Sequence, residues 1–222
     1  MLFVLLVAGA CIGTADAVCM ARSWSPTITI FAGPQYRSSE YSDSPLYSRI
    51  TSSADLGIHA GVDLGVPLSR HFAVSVGGHY GTTGGSHESV SALYQSVELH
   101  SELSISTLAL PVALHVTRAY GRTSLGLFAG PEMNFYFGAT QRLTYPVDME
   151  NDVSRFVKPS GFAVHGGASV THRVTDAAAA HVSFYYSRGL QDVLNDLTDS
   201  GSELHLSSLA VRFGITLYPG HQ

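Results

Sequence analysis

From Ser104 to Phe137 the chain alternates, residue by residue, between apolar and small or polar side chains. Leu108, Leu110, Val112, Leu114 and Val116 share one face, and Thr107, Ala109, Pro111, Ala113 and His115 share the other. Arg118-Ala119-Tyr120-Gly121-Arg122 then makes a short turn. The return run sets Leu125, Leu127, Ala129, Pro131, Met133, Phe135 and Phe137 against Ser124, Gly126, Phe128, Gly130, Glu132, Asn134 and Tyr136. Successive side chains of a strand point to opposite faces, so a period of two on both sides of a turn reads as a β-hairpin.

The same period recurs along the chain. Between Ala54 and Leu68 every second residue is apolar, and Asp55, Gly57, His59, Gly61, Asp63, Gly65 and Pro67 fill the positions between. That much glycine and proline excludes a helix. Further alternating runs are predicted at 27–36, 71–82, about 96–117, 161–174, 177–188 and 203–218. Short connections fall at 69–70, 118–122 and 175–176, and long polar ones at 37–53, 83–95, 138–160 and 189–202. Strands joined alternately by tight turns and long loops predict an all-β fold, an eight-stranded antiparallel up-and-down transmembrane β-barrel. The run at 96–117 exceeds the roughly 9–11 tilted residues that cross a bilayer. Its early part reads as a strand projecting beyond the membrane, with a separate small hairpin as the alternative.

Composition decides which face is outside. Charged residues are 13% of the chain and there is a single lysine, Lys158. An average soluble domain carries about 25% charge. An eight-stranded barrel has room inside only for packed side chains, which suits the face rich in Gly, Ala, Ser and Thr. The Leu, Val, Ile and Phe face is therefore expected to point outward into lipid. Aromatics near the ends of the runs, among them Tyr36, Phe72, Tyr80, Phe137 and Tyr186, suit interfacial girdles. The body of the chain holds no run of 18 apolar residues, which excludes a transmembrane helix there. A net charge of −5 argues against a nucleic-acid partner.

Residues 1–17 read as a secretory signal peptide, with an apolar stretch to Ile12 and a small-x-small site at Ala15-Asp16-Ala17, although no Lys or Arg precedes the apolar stretch. Cys11 also permits a lipid-modified start, but Ala8-Gly9-Ala10 lacks the usual leucine. Residues 18–25 form a lead-in with the only tryptophan, Trp24; 26–218 form the barrel, and 219–222 a tail. Cys11 and Cys19 are the only cysteines, so no disulfide framework or metal-spaced cysteine pair is expected.

The strings S-T-L-A-L-P-V-A-L (106–114), L-F-A-G-P-E-M-N-F (127–135), F-Y-Y-S-R-G-L-Q-D-V (184–193) and L-A-V-R-F-G-I-T-L-Y (209–218) resemble the PorT-type and OmpA-like outer-membrane β-barrel family. The resemblance covers about residues 26–218 and implies an eight-stranded barrel with structural motifs and no shared enzymatic activity. It also implies an aromatic C-terminal assembly signal, from which this chain departs by adding Pro219-Gly220-His221-Gln222 after Tyr218.

The face assignment predicts a polar network in the lumen: Asp55, His59, Asp63, His79, His115, Glu132, His165, Arg173, His181 and Arg212. Buried charges must be paired, so these residues are expected to plug the barrel with hydrogen bonds and ion pairs. A conducting path through them is the alternative. Ser, His and acidic residues are all present, yet no spacing singles out a catalytic triad. The eleven histidines show no metal-ligand spacing. Asp148, Glu150 and Asp152 alternate like calcium ligands, but lack the glycine and terminal glutamate of such a loop and read as a solvated segment. Catalytic, cofactor and metal sites are accordingly expected to be absent.

The long loops hold most of the acids and the short turns hold Arg70, Arg118 and Arg122. The acidic rim is expected to face outward, where divalent cations bridge it to anionic lipid headgroups. The expected protein sits in the outer membrane after crossing the inner one, with lipid and the outer-membrane assembly machinery as partners. Its expected role is structural, surface-binding or accessory. A lipid-modifying enzyme, a narrow channel and a soluble ligand carrier are the rivals.

Overall fold

The alternation is realised as antiparallel strand almost throughout. A computed structural model of the chain describes residues 25–41, 47–91, 98–144, 148–194 and 204–219. The strands are β1 (Thr27–Tyr41), β2 (Tyr47–Ser53), β3 (Asp55–Pro67), β4 (Phe72–Ser91), β5 (Glu98–Tyr120), β6 (Thr123–Leu143), β7 (Met149–Asp152), β8 (Ser160–Arg173), β9 (Ala178–Gly189) and β10 (Leu204–Leu217). A 3-10 turn spans Ser154–Phe156. Eight of the strands close a ring in the order β1, β3, β4, β5, β6, β8, β9, β10. The closing seam pairs Ile30 with Ile215, and β1 also pairs with β3 through Ala32 and Ala60. Closure spares the eight-stranded ring an open edge, which lipid would not tolerate.

The faces sort as the alternation predicts. Leu108, Leu110, Val112 and Leu114 are 40–49% exposed on the outer wall, whereas Ala109 and Ala113 between them are buried. On β3 the exposed set is Leu56, Ile58, Val62, Leu64 and Val66. An outer surface this apolar on nearly every strand has no aqueous counterpart among monomeric proteins, and lipid is its natural solvent.

The segment Phe-Ala-Gly-Pro occurs twice, at 31–34 in β1 and at 128–131 in β6. In the ring order these strands stand diametrically opposite each other. A Cβ on Gly33 would lie 1.8 Å from the carbonyl oxygen of Val211, and one on Gly130 would lie 1.8 Å from that of Val112. Both glycines therefore admit the neighbouring strand at a distance that no side chain allows. Each is followed by an outward proline with no N–H to donate. The pairing is interrupted there in both places: between Ala32 and Gln35 against β10, and between Ala129 and Glu132 against β5.

Several strands run further than the sequence reading allows. The stretch 37–53, read as a loop, continues β1 to Tyr41 and contains β2, which pairs with the far end of β4. The stretch 83–95, also read as a loop, carries β4 on to Ser91. The stretch 138–160 carries β6 to Leu143 and contains β7, which pairs with it. These segments are rich in Ser, Thr and other polar residues and look like loops by composition. Their described parts lie beyond the apolar band at the long-loop end, and backbone partners across the ladder make those parts strands. The early part of 96–117 is a projecting strand, as read: β5 is 23 residues long.

A bulge adjusts the long end. Against β5, Ile105 pairs with Ala139 but Thr107 pairs with Tyr136. Gly138, at φ +74°, takes up the extra residue in the left-handed conformation that glycine favours. The inward phase of β6 thereby switches from even residues, such as Glu132 and Asn134, to odd ones, beginning with Ala139. Above it, Leu103, Ile105, Ala139, Val193, Leu204 and Leu206 form a buried apolar cluster inside the long-loop end of the barrel. Val193 lies in the stretch 189–202, which composition predicts to be an acidic loop. Residues 1–17, 18–24 and 220–222 lie outside the described residues, together with the signal peptide, lead-in and tail assigned to them.

Candidate functional site

The inward faces of the eight barrel strands place polar side chains in layers along the lumen. At the short-turn end is an open vestibule of about 200 Å³, whose lining includes Asp63, His115, His165, Arg173, His181 and Arg212. Nearer the long loops lies a cavity of about 40 Å³ lined by Gln35, His59, Glu132, Asn134 and Tyr136 among others. His79 and Tyr185 line both, so they belong to the layer that separates them.

That layer is built around Arg212 of β10. The guanidinium sits 3.4 Å from the ring centre of Tyr185 on β9 and 4.4 Å from that of Phe31 on β1. Its Nε donates to Nδ1 of His59 at 3.4 Å and its Nη2 donates to Nδ1 of His79 at 3.2 Å. Nε2 of His79 stands 2.8 Å from Oδ1 of Asp63. With Nδ1 accepting from an arginine, the proton of neutral His79 is assigned to Nε2, and the ring relays Arg212 to Asp63. On the far side the Tyr185 hydroxyl donates to Oε2 of Glu132, and the Ser187 hydroxyl donates to its Oε1 at 2.9 Å. His165 stacks on Tyr185 with ring centres 5.4 Å apart. Its Nδ1 is 3.9 Å from Glu132, too far for a hydrogen bond, and has no other partner.

His59, Asp63, His79, Glu132, His165 and Arg212 are thus brought together around Tyr185. The remaining predicted residues stand apart. Asp55 lies toward the long loops, accepting from Ser86 at 2.7 Å and facing Arg37 at 4.0 Å. His115 shares a 2.7 Å hydrogen bond with Ser75 and stacks on Phe128. His181 meets Thr171 at 3.2 Å, and Arg173 stacks 4.9 Å from the ring centre of Tyr218 near the mouth.

Sequence reasoning missed the residues that organise this set. Tyr185 falls on the inward phase of its strand, yet nothing local marks it as the pivot. Arg37 was assigned to a loop but is buried, donating to Ser104 at 2.9 Å. Phe31 and Phe128 are inward aromatics in a face otherwise small and polar, and the repeated Phe-Ala-Gly-Pro was the signal that could have found them.

As chemistry, the lumen offers the pairs Ser75 with His115 and Asp63 with His79, the second tied into the Arg212 layer. Among the described residues no three His, Cys, Asp or Glu side chains gather as a metal cage. The acidic alternation at 148–152 is likewise engaged with its neighbours. Arg142 donates to both carboxylate oxygens of Asp148 at 2.9 and 2.7 Å, and these hydrogen bonds hold that carboxyl below the usual carboxylate range. Asp152 is lowered by hydrogen bonds from Ser154, whose amide stands 2.9 Å from it. The segment is solvated as expected, but Met149–Asp152 is a strand paired to β6 and not a loop.

The fold is similar to that of OprG from Pseudomonas aeruginosa, with 12% identity over 87% of this chain and 96% of that one and a TM-score of 0.52. Alignments also extend to the outer membrane protease OmpT from Escherichia coli (8% identity, 91% and 100% covered, TM-score 0.49) and to Neisserial surface protein A (11%, 86% and 96%, TM-score 0.46). At such identities the likeness concerns the fold alone. No curated protein matches the chain in sequence. The model of the outer membrane protein beta-barrel domain family matches residues 27–195, well over half of the chain. Closed ring, lipid-facing wall and family match agree: the chain belongs to the outer-membrane β-barrel domain family and is a protein of the outer membrane.

Proposed function

We propose that this barrel is a non-catalytic plug in the outer membrane whose projecting sheet is its working surface, in a structural, surface-binding or accessory role. The observation that carries this reading is the double closure of the lumen. An ion entering the vestibule meets the Arg212, Tyr185, His59 and His79 layer, and beyond it the apolar cap of Leu103, Ile105, Val193 and Leu204. Shedding water to cross both is costly for a charged species. In barrels of this class short turns are periplasmic and long loops extracellular. On that orientation β4, β5 and β6, extended by β2 and β7, stand above the bilayer as a continuous sheet.

The Ser75–His115 pair faces the lumen and not lipid, which weighs against a lipid-modifying hydrolase. The resemblance to PorT-type and OmpA-like barrels supports the same reading, since the shared motifs are structural. The proposal takes anionic outer-leaflet lipids as partners, bridged by divalent cations to acids of the extracellular rim such as Glu150. It takes the outer-membrane assembly machinery as the route of insertion, after residues 1–17 direct export.

Two experiments test it. In planar bilayers the purified protein is expected to give no unitary conductance steps; regular steps overturn the plug. In intact cells a membrane-impermeant thiol reagent is expected to label an Arg155→Cys variant, and protection there overturns the orientation.

A further inference from the structure

The vestibule carries more positive charge than the plug requires. Arg70, Arg173 and Arg212 line it, against Asp63 as the single carboxylate of its lining. Asp63 is already hydrogen-bonded to His79, whose ring also accepts from Arg212. Among the described residues no carboxylate lies within 4.0 Å of any of the three arginines. Arg212 is 3% exposed, and the two carboxylates linked to it, Asp63 through His79 and Glu132 through Tyr185, do not touch its guanidinium, so that no counter-charge contacts it directly. Its hydrogen bonds to the two histidines leave Nη1 out. Hydroxyl side chains line the wall between the arginines: Ser75, Thr171 and Thr216 pair with His115, His181 and Thr29, and Ser169 and Ser183 stand beside them.

We propose that the periplasm-facing vestibule binds a small phosphate-bearing anion, held by Arg212 at its floor and Arg173 near its mouth. A tetrahedral phosphate offers acceptors in several directions, matching a ring of hydroxyls, while a carboxylate offers two oxygens in one plane. Arginine suits phosphate through its planar fork of donors. The volume of about 200 Å³ falls below the roughly 300–1,000 Å³ of drug-sized pockets and selects a compact ligand. The proposal goes beyond the plug reading and does not depend on which partner the extracellular sheet meets.

The test uses the full barrel folded in detergent micelles in a phosphate-free buffer, with the ring resonances of His165 and His181 as reporters. Inorganic phosphate is expected to shift both saturably, and acetate at equal ionic strength is not. Arg173→Gln is expected to weaken the phosphate response at least tenfold. Arg142→Gln, at the opposite end of the barrel, is expected to leave it unchanged and controls for general charge. A parallel titration with glycerol phosphate separates the sources: tighter binding of the ester assigns a phosphorylated headgroup, and tighter binding of inorganic phosphate assigns the free ion. A linear, unsaturating response, an equal response to acetate, or one untouched by Arg173→Gln overturns the proposal.

Discussion

The guanidinium of Arg212 stands over the rings of Tyr185 and Phe31, 3.4 Å and 4.4 Å from their centres. The charge is desolvated, and the two π-faces replace part of its water. Cation–π contacts are worth about 2 kcal/mol or more when desolvated. The Tyr185 hydroxyl also donates to Glu132, so one side chain links the buried cation to a buried anion.

Two substitutions at Tyr185 separate these contributions. Tyr185→Phe keeps the ring and removes the hydroxyl, leaving Glu132 with a single hydroxyl donor from this pair; it is expected to cost about 1–3 kcal/mol. Tyr185→Leu removes the ring as well and is expected to cost about 2 kcal/mol more. Denaturant unfolding in micelles, followed by strand circular dichroism, reads both. Equal losses for the two variants would mean that the ring contact with Arg212 contributes nothing.

Gly130 and Gly78 make a matched pair of opposite expectation. A Cβ on Gly130 meets the Val112 carbonyl oxygen at 1.8 Å, whereas one on Gly78 meets nothing within 4 Å. Gly130→Ala forces β5 and β6 apart beside the interruption at Pro131 and is expected to abolish efficient folding. Gly78→Ala is expected to fold like the parent protein. The heat-modifiable band on gels measures the folded fraction, and a fully folded Gly130→Ala protein would contradict the close approach.

Val182 tests the lipid-facing wall. It is 37% exposed on the outer face of β9, flanked by Val170 and Phe213 in register. Val182→Arg is expected to destabilise the barrel by about 2–4 kcal/mol in lipid vesicles, the cost of a cation near the bilayer midplane. Thr144→Arg, beyond the end of β6, is expected to be near neutral. Equal stability of both variants would remove lipid from that wall.

Asp148 carries a pH dependence that lies outside the membrane. Its hydrogen bonds with Arg142 lower its folded-state pKa, so the pair favours the paired β6–β7 arrangement when Asp148 is ionised. That contribution is present above the unfolded value of about 3.9 and is lost as pH falls through the depressed folded value. Carboxyl carbon shifts of Asp148 are expected to titrate below the usual range, and Arg142→Gln to return the midpoint to about 3.9. An unchanged midpoint in that variant would show that the pair does not form in solution.

The period of two determined a great deal locally. It separated Leu108, Leu110 and Val112 from Ala109, Pro111 and Ala113, and the scarcity of charge sent the apolar set to lipid. It put Glu132, His165 and Arg212 on the inward faces of their strands. A tight turn such as Ser69-Arg70 carries its own chemistry, so the short end of the barrel was legible as well. The loop-like composition of 37–53 and 138–160 was misleading, because Ser- and Thr-rich chain becomes strand when β4 and β6 stand beside it.

Only the tertiary structure decided which inward residues meet. A period of two names a face but carries no register, and the height of each side chain in the lumen depends on the tilt and stagger of all eight strands of the closed ring. Tyr185 reaches Arg212 on the adjacent strand but Glu132 two strands away, and Phe31 likewise meets His79 two strands away. The bulge at Gly138 inverts the alternation above it, so Ala139 turns inward to join Leu103 and Leu204 in a cap that no local pattern announced. Alternation is a property of neighbours along the chain, whereas the network in the lumen is a property of neighbours across it.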